Sequence, residues 1–369
     1  MRDALHAALV LRDGSAWRGN GFGAPSKVTG EVVFNTGMVG YTQSVTDCSY
    51  KGQILCQTYP LIGNYGISRE EFESTGPQIQ GYAAYEACRQ PSHHTLEIGL
   101  DEWLRRSGVP GIQGIDTREL TKRLRMEGTM LGVLSVSESE PDVPELVHEA
   151  KSAGDPNERD LVGEVTIKKP VVYPGKGKRV VVIDCGAKLG IIRSLTERGA
   201  HVIRVPASYG ADKIMGHEPD GVLLTNGPGD PKKAPYVVES VRGLIEHKVP
   251  LFGICLGNQI LGLALGCDTY KMKFGHRGQN HPVMDRSSSN RCYITSQNHG
   301  YTINPDSVRG KGIKITFVNV NDGTVEGIRH ERLPIFGVQF HPEARPGPVE
   351  TNFLFDKFLK AMGDGHAKG

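Results

Sequence analysis

Hydrophobic and polar positions follow two different rhythms along this chain. Up to about residue 135, apolar residues come in short runs separated by glycine-rich turns. Ala7-Ala8-Leu9-Val10-Leu11 precedes Asp13-Gly14, a dipeptide that favours a tight hairpin. Residues 31–34 and 53–57 read as further strands. Helical spacing occurs twice. Leu96, Ile98, Leu100, Trp103 and Leu104 offer one apolar face, and 116–125 offers another, with Asp116 as N-cap and Glu119 three residues on. From 137 to 177 the chain turns polar and proline-broken, and Tyr173-Pro174-Gly175-Lys176-Gly177-Lys178 reads as a flexible connector.

After 178 the rhythm changes to alternating strand and helix. Residues 179–184 form a continuous apolar run, the mark of a strand buried on both faces. A helix over 191–198 is closed by Gly199. Strands are predicted at 201–205 and 221–225, a helix at 236–247 and a strand at 250–254. This β-α-β-β-α-β order predicts an α/β fold with an open, mostly parallel sheet and flanking helices. A mixed α+β, strand-rich domain precedes it. The expected division is 1–136, a linker at 137–177, a second domain at 178–363 and a tail at 364–369. Ligands of such sheets bind outside the carboxyl ends of the strands, so chemistry is expected just after 184, 225 and 254.

Composition narrows the class. At 369 residues two or three domains are expected, taking about 150 residues each. Forty-three Lys and Arg against 41 Asp and Glu leave a net charge of +2, which argues against a dedicated nucleic-acid or membrane-surface binder. No apolar run approaches the roughly 18 residues of a membrane span, and Met1–His6 lacks the apolar core of a secretory signal. A cytoplasmic protein is expected. The seven cysteines (48, 56, 88, 185, 255, 267, 292) are odd in number and show no CxxC pair, so free thiols are expected rather than a zinc or dithiol motif. His93-His94 points to two different faces with no acidic cluster nearby, so no metal is expected there. No phosphate-binding Gly-x-x-x-x-Gly-Lys loop is present, and Gly19-x-Gly21-x-Gly23 has the wrong spacing for a dinucleotide.

The sharpest chemical signal is Gly253-Ile254-Cys255-Leu256-Gly257-Asn258-Gln259, between an apolar strand and a helical stretch. A Gly-x-Cys-x-Gly corner is the sulfur form of the nucleophile elbow. It places Cys255 at a helix N-terminus, facing free backbone N–H groups that favour thiolate. A thiol nucleophile needs a base and a group to orient that base. Gly337-Val338-Gln339-Phe340-His341-Pro342-Glu343 ends a predicted strand at 334–340, where residues two apart point the same way. His341 and Glu343 are therefore the expected base and orienter. Leu224-Thr225-Asn226-Gly227-Pro228-Gly229-Asp230-Pro231 follows another strand. Its amides, with that of Leu256, are candidate oxyanion donors, although an ordinary Asn-Gly turn has the same signature.

Together these motifs resemble the class I glutamine amidotransferases. Gln297-Asn298-His299-Gly300-Tyr301 is a further match, and the branch resembled is the small chain of carbamoyl-phosphate synthetase. Its marks are Phe34–Tyr41, Thr46-Asp47-Cys48-Ser49-Tyr50, Tyr59–Asn64 and Ile115-Asp116-Thr117-Arg118. The resemblance covers about 5–360. It implies a glutaminase in which Cys255 forms a γ-glutamyl thioester, His341 moves the protons and Glu343 orients it. It also implies glutamine binding by Ser49, Gly227, Gly229, Leu256, Gln259, Asn298, Gly300 and Tyr301. It further implies an N-terminal domain docked on a large chain that makes carbamoyl phosphate from bicarbonate and ATP, for arginine and pyrimidine biosynthesis. ATP and a divalent metal are then expected only on that large chain, with no cofactor in this one. Asn258, Cys48 and Gly190 depart from the family pattern, which has His, Pro and Asn there. Two alternatives remain: a stand-alone cysteine hydrolase, and a regulatory glutamine-binding subunit without turnover. The basic segment Lys271–Arg277 could border a partner or face water.

Overall fold

The computed structural model describes residues 5–287 and 291–363, and the chain divides into two units between Arg159 and Asp160. The expected tail, 364–369, lies outside the described residues.

In the first unit, β1 (His6–Leu11) and β2 (Ala16–Gly23) form the hairpin, turning at Gly14 with φ 92°. There follow β3 (Lys27–Asn35), α1 (Tyr41–Thr46), β4 (Gln53–Gln57), β5 (Leu61–Ile62), β6 (Gly81–Ala83) and β7 (Glu86–Ala87). The unit is completed by α2 (Leu100–Arg106), β8 (Pro110–Gln113), α3 (Thr117–Glu127), β9 (Met130–Ser137) and α4 (Val143–Ser152). Seven strands close a barrel in the order β1-β2-β8-β6-β4-β3-β9, with Leu9 opposite Leu134 where β9 returns to β1. Closure removes the exposed edges that an open sheet would leave. Asp116 caps α3 as expected, its Oδ1 accepting from Glu119 N–H at 2.8 Å. The first predicted helix is shorter than its apolar spacing suggests. Gly99 at its N-cap is extended, and Ile98 bridges to Ile67 instead.

The second unit begins with α5 (Leu161–Val165) and β10 (Val171–Tyr173). Next come β11 (Arg179–Asp184), α6 (Leu189–Thr196), β12 (His201–Pro206), α7 (Ala211–Met215), β13 (Gly221–Leu224), α8 (Pro235–Glu246), β14 (Leu251–Ile254) and α9 (Leu256–Ala264). The remaining elements are β15 (Thr269–Asp285), β16 (Cys292–Ile303), β17 (Ile313–Asn319), β18 (Val325–His330), β19 (Ile335–Val338) and α10 (Phe353–Ala361). One ten-stranded sheet runs β10-β12-β11-β13-β14-β19-β18-β17-β15-β16. Its five central strands, β12 to β19, are parallel; β10 and the four strands beyond β19 add to it antiparallel.

Strand alternation explains the layers. Val181, Ile183, Leu224 and Leu251 face Val237, Val241 and Leu244 of α8. Val180, Val182, Phe252 and Val338 face the other way, onto Ile191 and Leu195 of α6 and Phe355 and Phe358 of α10. The short α7 intervenes where two successive strands were expected. The segment expected as a linker is structured. Leu146 and Ala150 of α4 pack on Ala8, Val10 and Val133 of the barrel, whereas Val162 of α5 joins the sheet core and β10 pairs with β12. Its polar residues form N-caps: Asp142, Asp155 and Asp160 each accept a backbone N–H. No helix among the described residues is long and apolar enough to cross a membrane.

Candidate active site

Cys255 stands at the predicted corner between β14 and α9. Its φ of 55° and ψ of −107° are a conformation L-residues adopt only under constraint, and its N–H is held by Val338 O at 2.8 Å. The flanking glycine makes the corner possible: a Cβ on Gly257 would lie 2.3 Å from Leu224 O. The thiol is buried, and its Sγ is 3.5 Å from Asn298 O of β16.

Strand β19 delivers the base. His341 follows its end, with its N–H on Ser296 O at 2.9 Å. Its ring Nδ1 is 2.7 Å from Glu343 Oε1, the i, i+2 relation expected across Pro342. The other ring nitrogen, Nε2, is buried and has no hydrogen-bond partner, with the Cys255 thiol within interaction reach. Burial disfavours an imidazolium here and Lys188 opposes it, but the Glu343 carboxylate and the Cys255 thiol together prevail, and His341 is raised to about 10. Burial pushes the Glu343 carboxyl up, yet the Lys188 and His341 cations together hold it well below the usual carboxylate range.

Lys188 is the residue that the sequence motifs missed. Only 3% of its side chain is exposed, and its Nζ donates to Glu343 Oε1 at 2.7 Å and to Arg345 O at 2.5 Å. Its position was legible in one respect. It lies four residues past Asp184, at the carboxyl end of β11, where ligands of parallel sheets gather.

The third loop is rigid. Asn226 Oδ1 accepts from Lys188 N–H at 3.0 Å, and Thr225 Oγ1 accepts from Cys185 N–H at 3.0 Å. A Cβ on Gly227 would sit 2.2 Å from Cys185 O, while Gly229 has φ 79°. Gln259, on α9, donates to Tyr301 O at 2.8 Å and to Gln339 Oε1 at 3.2 Å. Asn298, Gly300 and Tyr301 run along β16 beside Cys255 and Gln259. Leu256 is the first residue of α9. Thus Gly227, Gly229, Leu256, Gln259, Asn298, Gly300 and Tyr301 all belong to the second unit with the triad. Ser49 belongs to the first unit, on a buried 3-10 turn (Cys48–Tyr50), with its N–H on Asp47 Oδ1 at 2.9 Å. Asn258 is fully buried and neither side-chain amide atom has a partner. Gly190 is buried in α6.

One further group has metal-ligating chemistry: His276, His299 and Glu326, whose ligand atoms lie within 4.8 Å of one another. Tetrahedral ligands at 2.0–2.1 Å from zinc would be about 3.4 Å apart. His276 Nδ1 and Glu326 Oε1 stand 3.3 Å apart, close to that spacing. Hydrogen bonds already bridge the group, with the Gln297 side chain 2.9 Å from both imidazoles and Asn319 Nδ2 donating to Glu326 Oε1 at 3.1 Å. It reads as a hydrogen-bonded network.

This geometry agrees with the relationships of the chain. The family described as "Glutamine amidotransferase class-I" matches residues 181–361, and "Carbamoyl-phosphate synthase small chain, CPSase domain" matches 9–134. A "Carbamoyl phosphate synthase small chain" from Bacillus caldolyticus is 49% identical over 361 residues, covering 98% of both chains. One from Methanopyrus kandleri is 50% identical over 357 residues, covering 96% of this chain and 98% of its own. A "Carbamoyl phosphate synthase pyrimidine-specific small chain" from Halalkalibacterium halodurans is 49% identical over 354 residues, covering 96% of each. The chain therefore belongs to the carbamoyl phosphate synthase small-chain family, with a class I glutamine amidotransferase domain over its C-terminal half.

Proposed function

We propose that this chain is the glutaminase subunit of a glutamine-hydrolysing carbamoyl-phosphate synthetase. The observation that carries the reading is the pairing of a strained, buried thiol with an imidazole whose Nδ1 is fixed by Glu343 and whose Nε2 is left without a partner. Such a nitrogen can take and return a proton without first breaking another bond. His341, whose raised pKa holds the proton taken from Cys255 before attack, leaves Sγ to attack the side-chain amide carbon of L-glutamine. The oxyanion is met by the amides of Leu256 and Gly229. His341 then gives its proton to the departing nitrogen, releasing ammonia and leaving the γ-glutamyl thioester. In the second half His341 takes a proton from water, the hydroxide attacks the thioester, and glutamate leaves as the thiolate is restored.

Gly227, Gln259, Asn298, Gly300 and Tyr301 hold the substrate in this reading. Ammonia passes to a large chain, which consumes bicarbonate and ATP and carries the divalent metal. The absence of a phosphate-binding loop motif in this sequence supports that division of labour. Two measurements test it. Mass spectrometry of protein quenched during turnover is expected to find a glutamyl adduct on the Cys255 peptide, and Cys255→Ser is expected to lose the activity. Turnover with no adduct there, or a Cys255→Ser chain at full rate, overturns it. Addition of the large chain is expected to accelerate glutamine hydrolysis; equal rates would favour a stand-alone hydrolase.

A further inference from the structure

Strand β16 carries three backbone carbonyls that touch the reactive groups. Ser296 O holds His341 N–H, Asn298 O faces the Cys255 thiol, and Tyr301 O accepts from Gln259. The side chains of Gln297 and His299, two residues apart, share one face of the strand. There the strand is held by side chains that no step of the chemistry uses. His299 Nδ1 donates to Tyr301 O at 2.8 Å, and the Gln297 amide sits 2.9 Å from His299 Nε2 and 2.9 Å from His276 Nδ1.

His276 is the hub. It is His299's cross-strand partner on β15, with the rings edge to face at 5.0 Å. Register irregularities lie on both sides of it, between Lys271 and His276 and between Gly278 and His281. Bulges of this kind re-aim a side chain locally. Gly275 is required at the first: its φ is +69°, and a Cβ there would be 2.3 Å from His299 O. The far ring nitrogen, Nε2, donates to Asp322 Oδ2 at 2.9 Å, while Glu326 Oε1 lies 3.3 Å from Nδ1. Four antiparallel strands beyond the parallel block thus converge on one imidazole, which is 5% exposed.

We propose that His276, anchored by Asp322, is a positioning residue for glutamine: it fixes Gln297 and His299 and thereby the register of Asn298–Tyr301 past the thiol. The inference rests on the glutaminase reading above. It separates from that reading because it concerns substrate affinity rather than the nucleophile.

Full-length His276→Asn, His276→Gln and Asp322→Asn are the test, each assayed for glutamine hydrolysis and for the rate of Cys255 alkylation by iodoacetamide. An Asn amide reaches the place of Nδ1 and keeps the contact to Gln297; a Gln amide reaches the place of Nε2 and keeps only Asp322. His276→Gln is expected to raise KM for glutamine about tenfold, the scale of one lost hydrogen bond, and His276→Asn less. Asp322→Asn is expected to raise it about threefold, with kcat and alkylation changed less than twofold in all three. Asp322 is 40% exposed on its side chain, so Asp322→Asn is expected to keep the fold even where a His276 variant loses it. Unaltered KM in Asp322→Asn, or a fall in kcat and alkylation with KM unchanged, overturns the proposal. A Cys255→Ser chain that still hydrolyses glutamine would instead overturn the underlying reading.

Discussion

His341 and His276 are the same residue type in closely similar surroundings. Both are buried in the second unit, and each has a carboxylate against one ring nitrogen, Glu343 at 2.7 Å and Asp322 at 2.9 Å. In both cases burial disfavours the charged ring and the neighbouring carboxylates prevail, raising His341 to about 10 and His276 to about 9. The difference lies in the second nitrogen. That of His276 sits among Gln297, Glu326 and Asn319, whereas that of His341 has no partner. A satisfied ring holds neighbours in place. A ring whose second nitrogen meets the thiol can exchange a proton with it and then with the substrate, which is what an acid–base residue requires.

The comparison breaks most visibly at His341. His341→Asn keeps an amide near Glu343 but removes the nitrogen that faces the thiol. Its kcat for glutamine hydrolysis is expected to fall on the order of 10³-fold, with little change in melting temperature. The equivalent change at His276 is expected to leave kcat within twofold. Steady-state kinetics on the pair would show whether buried histidines here differ in role or only in degree.

Glu343 and Lys188 sharpen the contrast with opposite signs. Glu343→Gln removes the carboxylate that raises His341, leaving only the Cys255 thiol to raise it against burial and Lys188, which lower it. The His341 midpoint, followed by NMR of labelled histidine, is expected to drop well below its present value, and kcat to fall about 10²-fold. Lys188→Met removes a cation that opposes the imidazolium, so the His341 midpoint is expected to rise. The same change strips a buried carboxylate of its ammonium partner. That is expected to cost about 3 kcal/mol in urea unfolding, the low end for removing one partner of a buried ion pair, because His341 still faces the carboxylate. If both variants moved His341 in one direction, the charge arrangement inferred for the triad would be wrong.

How much of this was readable from residues alone differs between the two histidines. Cys255, His341 and Glu343 announced themselves because local covalent constraints carry their geometry: glycines around a corner, and a proline between two residues of one strand. The parallel strands were equally legible, since runs such as Val180-Val181-Val182-Ile183 suit only a strand covered on both sides. Closure of the barrel was not. It depends on β9 pairing with both β1 and β3, contacts more than 90 residues apart that no local pattern encodes. The segment 137–177 was misleading for a different reason. Its aspartates and prolines resemble a linker, yet all three aspartates are helix caps. The roles of Lys188 and His276 were not readable, because they arise from partners 155 and 46 residues away.

The smallest effect is one that the two rings should share in sign. A histidine whose folded pKa exceeds its unfolded value of about 6.5 binds its proton more tightly when folded. The stability this contributes is complete below about pH 6.5 and is lost as pH rises through the folded value, about 9 for His276. The full shift corresponds to about 3 kcal/mol; Asp322 is 40% exposed, so solvent screening reduces the expected contribution to about 1–2 kcal/mol. Urea unfolding of the parent chain and of His276→Asn, each at pH 6 and pH 10, isolates it from other groups titrating in the same range. The stability gap between the two proteins is expected to be larger at pH 6 and to narrow by that amount at pH 10. A gap that is constant, or widens with pH, would mean that His276 is held neutral in the folded chain. The Asp322 contact would then be an ordinary hydrogen bond rather than an ion pair, and the likeness between the two rings would end at their burial.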